Sequence, residues 1–297
     1  MSTVPPAEVS AAISRIPLLA QVLVSELAVD PLPGLTNRNF KITTPGGNYV
    51  LRLSGAGTEK YIDRAAEAHD AALAAGVGLA PEILYADPAT GLMLTRFVDG
   101  AETLTAAAMH DPATLRDAAH ILRRLHDSGL VFRREMRVFD KIDSYLQKSL
   151  RAAAQFGEVR RAAEKLRNLV DDPMRRLVPC HIDPTPHNFI RGRGSDGASR
   201  LYLIDWEYAE MSEPAYDLAG LSIEAELGDA EDRALLAAYG EGVKGATPDR
   251  VAAYKVSLHL MAGSWAAMAV EFGNKTPELE AMVCNRLAQA RTTLAIF

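Results

Sequence analysis

The chain has 297 residues, 48% of them hydrophobic, and a formal net charge of -6. That is enough apolar material for a large core in one domain or two, and the acidic balance argues against nucleic-acid binding through bulk charge. Cys180 and Cys284 form neither a disulfide framework nor a metal-ligand spacing, and no apolar run reaches membrane length, so a cytoplasmic protein without a membrane span is expected.

In chain order, residues 7–27 read as an amphipathic helix with Val9, Ile13, Ile16 and Leu23 near one face, broken or kinked at Pro17. Short strands are expected at 27–29, 39–43 and 49–53, separated by glycine and proline turns. The first turn, Pro33-Gly34-Leu35-Thr36-Asn37, is not G-x-G-x-x-G and has one glycine. Backbone N–H groups in such a turn can cradle phosphate. The third strand, NYVLRL, puts Tyr49, Leu51 and Leu53 on one face and Val50 and Arg52 on the other. An arginine among apolar neighbours either snorkels outward or meets an anion.

The alanine-rich stretch 60–75 reads as a helix capped by Gly76, with Arg64 as a further phosphate candidate. PEILYAD and GLMLTRFVDG then complete a five-stranded sheet, and 94–98 is the expected hinge between two lobes. After Gly100 the composition becomes helical. A periodic helix is expected at 111–128, with His126 as a packing residue, and two more at 140–170. Further helices are expected at about 214–227, 232–240, 249–272 and 277–295.

The chemistry concentrates in CHIDPTPHNFIRGRGSDGASRLYLIDWEYAEMSEPAYDL, which begins at Cys180. Apolar runs at 188–190 and 201–204 flank the turn signal GRGSDG and predict a hairpin. One end carries Asp183 and, five residues on, Asn188; the other carries Asp205 after the strand LYLI. Phosphoryl transfer needs such a set. One carboxylate orients the attacking hydroxyl, while an amide and a second carboxylate hold magnesium against nucleotide phosphates.

These motifs carry a resemblance. H-x-D-x-x-x-x-N followed by I-D-W-E-Y resembles the choline/ethanolamine kinase branch of the aminoglycoside phosphotransferase-like kinases, and GLTNRNF resembles that branch's G-L-T/S-N-x-x-F run. The resemblance implies an α+β, bilobal, protein-kinase-like fold. Residues 1–97 would form an N-terminal lobe with an antiparallel five-stranded sheet, and 98–297 a mostly helical C-terminal lobe. It implies ATP and Mg²⁺ as cofactors and a small amino alcohol as acceptor, and leaves the oligomeric state open. Asp183 would be the catalytic base, with Asn188 and Asp205 on the metal. Gly34, Leu35, Thr36, Asn37, Arg52 and Glu67 would serve the nucleotide, Glu67 pairing Arg52 as the helix glutamate of D-R-x-x-E. His181 and Asp217 would brace the catalytic loop.

For the acceptor, Glu207 would supply charge and Trp206, Tyr208, Tyr216 and Trp265 aromatic faces. Many choline kinases carry two tryptophans three residues apart near the position of Trp265; here the residue three before is Ala262. Another acceptor, such as an aminoglycoside or a sugar, or a nucleotide-binding protein without turnover, are the alternatives.

Overall fold

The computed structural model describes residues 6–34, 37–55, 58, 62–194, 197–240 and 242–297. In chain order the elements are α1 (Ala7–Arg15), α2 (Pro17–Ala20), β1 (Ala28–Leu32), β2 (Arg38–Thr44), β3 (Gly47–Leu53), α3 (Arg64–Gly76), β4 (Ile83–Asp87), β5 (Leu92–Arg96) and β6 (Asp99–Thr103). Then follow α4 (Ala106–Met109), α5 (Pro112–His126), α6 (Val138–Lys148), α7 (Leu150–Ala162), α8 (Arg167–Val170), β7 (Val178–Cys180), β8 (Phe189–Arg193), β9 (Ser199–Leu203) and β10 (Glu210–Ser212). The chain ends with α9 (Pro214–Glu224), α10 (Asp229–Tyr239), α11 (Pro248–Glu271) and α12 (Pro277–Leu294).

Two units form. One comprises Met1–Leu104 and His187–Ala209, the other Thr105–Pro186 and Glu210–Phe297. The first therefore extends past the boundary expected at 97. The physical reason is pairing. Residues Asp99–Thr103, expected to lead into helix, form β6 on one side of β8, and β9 takes the other side. All five β6 residues are exposed, so no apolar alternation marks the strand in the sequence.

The larger sheet of the first unit has the order β1-β2-β3-β5-β4, each neighbour antiparallel. Pro31 lies on the edge strand β1, where a missing N–H is tolerated. Val9 and Ile13 of α1, Ile16 between the two helices and Leu19 of α2 pack with Ile42, Tyr49, Leu51 and Leu94. Each fully buried aliphatic side chain contributes about 1.5–3 kcal/mol. Pro17 opens α2 and so splits the helix expected at 7–27, while Leu23 is exposed. Helix α3 starts at Arg64 rather than at 60, because Asp63 caps it by accepting from the amides of Ala65 (3.0 Å) and Ala66 (2.9 Å).

In the second unit α11 packs against α6, α7, α8, α9 and α12. Thr105, Asp111, Ser149, Thr247 and Thr276 cap α4, α5, α7, α11 and α12, each worth about 1 kcal/mol. The three-residue strands β7 and β10 pair antiparallel, Glu210 opposite Cys180, and lead into and out of the site segments. Among the described residues no helix is long and apolar enough to cross a membrane.

Candidate active site

In the first unit the β8–β9 hairpin runs in register from Arg193↔Ser199 to Phe189↔Leu203. One further bond, from the Ile204 amide to the Asn188 carbonyl at 3.0 Å, carries the pairing past the strand ends. It puts Asn188, which is 8% exposed, opposite Ile204, the residue before Asp205. Asp205 has φ 65°, in the left-handed region that aspartate tolerates better than most residues. The backbone thus turns sharply at the carboxylate that ends the strand.

Charged side chains converge on this end of the hairpin. Glu67, buried on α3, accepts from Arg52 of β3 and from Arg64 Nη1 at 2.8 Å. Arg64 Nη1 also reaches Glu207 Oε2 at 3.2 Å. Its Nη2 donates to Asn37 Oδ1 at 3.0 Å and to Thr58 Oγ1 at 2.8 Å, and Asn37 Nδ2 donates to Glu207 Oε2 at 2.9 Å. Burial would pull the Arg52 pKa down, but the negative charges of Glu67, Asp205 and Glu207 outweigh it, and the net shift is upward. Carboxylate oxygens of Glu67, Asp205 and Glu207 lie within 4.8 Å of one another. Three carboxylates grouped this closely are a donor set that a divalent cation could use. Among the described residues the buried Arg52 Nε has no hydrogen-bond partner, and Nη2 contacts Gly91 O at 3.4 Å, so Arg52 has donors that a phosphate could use. Both terminal nitrogens of Arg64 are committed to protein groups.

In the second unit, Asp183 follows a residue held in an unfavourable conformation. Ile182 has φ 71°, a genuine outlier for a β-branched side chain and a cost of about 1–3 kcal/mol. The strain is held by Asp217 near the start of α9. Its carboxylate accepts from the amides of His181 (2.7 Å) and Ile182 (2.9 Å). His126 of α5 contacts Asp217 Oδ2 through Nε2 at 3.0 Å, and its Nδ1 meets Tyr239 OH of α10 at 2.8 Å. Tyr239, His126 and Asp217 therefore brace the backbone just before Asp183. Burial raises the Tyr239 pKa, so its hydroxyl stays protonated and can donate to His126.

The expected site residues fare unevenly. Gly34 is required where it stands, since a Cβ would meet Asn37 O at 2.4 Å and Asn39 Nδ2 at 2.7 Å. Leu35 and Thr36 lie outside the described residues. Glu207, expected at the acceptor, is 1% exposed and held by Asn37 and Arg64 among the residues expected to serve the nucleotide. Trp206, expected as an acceptor wall, is 4% exposed with its indole N–H donating to Leu203 O at 3.2 Å, so its faces are taken up by the core. Tyr208 is half-buried. Trp265 stands on α11, 42% exposed. His187 is exposed, and Arg64, expected as a phosphate contact, is instead a buried bridge.

Sequence reasoning did not single out Glu210, which lies 3.5 Å from Arg134, or Tyr145, whose ring lies under Lys141. Burial first, then the charge of Glu210, pushes the Tyr145 pKa up to about 12. The buried Tyr216 hydroxyl is raised by burial and then by Asp217, Glu210 and Asp183. Glu210 and Asp183 thus act on one ring, a long-range relation that local spacing does not encode. The only local signal for Glu210 is its place two residues after Tyr208.

Residues 29–254 match the family model of the phosphotransferase enzyme family, APH. The chain belongs to this family. It is 31% identical to Protein LicA of Haemophilus influenzae over 199 residues, which is 65% of this chain and 57% of the relative, so the match spans little more than half of that protein. A choline/ethanolamine kinase family protein from Mesorhizobium loti superposes with a TM-score of 0.80 at 32% identity, covering 97% of this chain and 94% of that one. The choline kinase LicA from Streptococcus pneumoniae also gives 0.80, at 29% identity, with 98% and 100% covered. LicA in complex with AMP gives 0.76 at 28% identity, covering 98% and 99%. The fold is thus α+β and protein-kinase-like, with the antiparallel five-stranded sheet in the N-terminal part and a mostly helical C-terminal part.

Proposed function

We propose that this phosphotransferase is an ATP-dependent kinase that phosphorylates the hydroxyl of a small amino alcohol, choline or ethanolamine. The observation that carries the reading is the backbone bond from Ile204 to Asn188, which brings the chain segments bearing Asn188 and Asp205 together at one end of the hairpin. Nearby, Arg52 keeps donors in reserve against Glu67. The likeness to LicA and to the Mesorhizobium loti protein supports the acceptor class.

The donor set fits magnesium, because the oxygens of Asp205, Glu67 and Glu207 lie within 4.8 Å of one another. Asn188 and Asp205 would hold the ion, which when bound neutralises charge on the nucleotide phosphates. Arg52 and the turn from Gly34 to Asn37 orient the phosphates. Asp183 accepts the proton of the acceptor hydroxyl as its oxygen bonds to the γ-phosphorus. The bond from that phosphorus to the β–γ bridging oxygen breaks, and ADP leaves with the electron pair. Positioning and charge compensation supply most of the rate. A cationic acceptor would be held against an aromatic face, for which Trp265, half-exposed on α11, is the candidate.

The test is a coupled ADP-release assay with Mg-ATP against choline, ethanolamine, an aminoglycoside and a hexose. Choline or ethanolamine should exceed the others by about tenfold or more in kcat/KM. Turnover with neither amino alcohol rejects the acceptor assignment.

A further inference from the structure

Arg64 is a buried cation with four acceptors from four separate parts of the first unit. They are Glu67 one turn on along α3, Thr58 before that helix, Asn37 at the end of the first turn, and Glu207 two residues beyond Asp205. The side chain is 7% exposed, and the two glutamates are 1% exposed. The protein also makes room for its stem. Gly91, at φ 68°, lies against it, where a Cβ would meet Arg64 Nε at 2.9 Å and Cδ at 3.0 Å. Both terminal nitrogens are committed in this way, and Nε is buried, so the guanidinium has no terminal donor left for a ligand and its use is internal. A lysine could not replace it, since one ammonium cannot bridge four partners in a planar fork.

Asn37 is the point where this bridge meets the first turn. It is 5% exposed, gives Nδ2 to Glu207 and receives Arg64 at Oδ1. Its carboxamide therefore joins the end of the turn to the chain segment that carries Asp205. We propose that Arg64, Glu207 and Asn37 form a clamp that positions the phosphate-binding turn against the metal-binding end of the β8–β9 hairpin. Arg64 and Glu207 then act as positioning residues for the nucleotide, and neither touches it. This rests on the nucleotide-site reading above, and it moves Glu207 from acceptor recognition to nucleotide positioning.

The Asn37–Glu207 bond can be reversed. Asn37→Asp sets two carboxylates face to face and should release the turn. Adding Glu207→Gln returns an amide donor opposite a carboxylate acceptor, with the same total charge. Mg-ATP binding is titrated for wild type, both single variants and the double variant, and hydrogen exchange of the peptide carrying Asn37 is followed without nucleotide. Asn37→Asp should weaken Mg-ATP about tenfold, with the acceptor KM changed less than about threefold, and the double variant should recover to within about threefold of wild type. Exchange at Asn37 should quicken in the single variant and slow again in the double. A purely structural loss would not be rescued by the swap. Wild-type affinity in Asn37→Asp, or a double variant as weak as that single, overturns the clamp. If wild type binds no Mg-ATP, the nucleotide-site reading fails, and the exchange data alone still decide the clamp.

Discussion

The two units stabilise their functional residues by different means. In the first, opposite charges meet in a buried network of Arg52, Arg64, Glu67 and Glu207 around Asp205. In the second, one carboxylate, Asp217, holds two backbone amides and a histidine, and the strained Ile182 is fixed before Asp183. The difference matches the tasks proposed for them. A metal-nucleotide site must compensate charge, so it is built from charges whose balance the ligand completes. A proton acceptor needs placement more than charge, so it is built from hydrogen bonds that fix a backbone.

The largest expected effect comes from removing the proton acceptor itself. Asp183→Asn should lower kcat by about 10² to 10⁴ while Mg-ATP affinity stays near wild type. Steady-state rates and nucleotide titration on one sample check it. Near wild-type turnover would remove Asp183 from its role and leave the second unit's bracing without a purpose.

Next comes the brace. Asp217→Ala strips the acceptor from two buried amides and from His126, and should cost about 3–5 kcal/mol of stability. Denaturant unfolding measures this, and kcat in the remaining folded protein should fall as Ile182 relaxes. Unchanged stability would show that the strain is held elsewhere.

What was legible in the sequence is local. The hairpin that follows Asn188 and ends just before Asp205 was announced by the glycine-rich turn between two apolar runs. The same holds for the Arg52–Glu67 pair, since a strand and the following helix lie 15 residues apart in the chain. The clamp was not legible. Arg64 meets Asn37 across 27 residues and Glu207 across 143, and no spacing rule reaches so far. Strand β6 was missed because its residues are all exposed, and β7 and β10 because three residues carry no period. Helix α3 was drawn too long because alanine content outweighed the cap signal of Asp63.

A smaller effect concerns pH. Glu213 precedes α9, buried, with Arg250 at 2.6 Å and Tyr254 OH at 2.9 Å. Burial raises its pKa to about 7 despite Arg250. The folded state therefore holds this proton more tightly than the unfolded chain does. Its contribution is fully present below about pH 4.5 and lost as pH rises through 7, with a limit of order 3 kcal/mol. His259, lowered to about 4 by burial and by Arg286, works in the opposite sense as pH falls from 6.5. Subtracting the stability profile of Glu213→Gln from that of wild type isolates the glutamate. A flat difference between pH 5 and 8 would contradict this.

The smallest expected change is at the half-exposed ring on α11. Trp265→Ala should raise the acceptor KM about two- to fivefold, the scale of an exposed cation–π contact of about 0.5–1 kcal/mol, and leave the KM for ATP alone. A shift in the ATP value instead would move Trp265 out of the acceptor role.

The division of tasks between the two sets of residues is tested most directly by ATP titration with and without Mg²⁺ on wild type, Asp205→Ala and Asp183→Asn. Wild type and Asp183→Asn should both bind ATP more tightly when the metal is present, and Asp205→Ala should lose that enhancement. Equal enhancement in Asp205→Ala, or its loss in Asp183→Asn, would contradict the account.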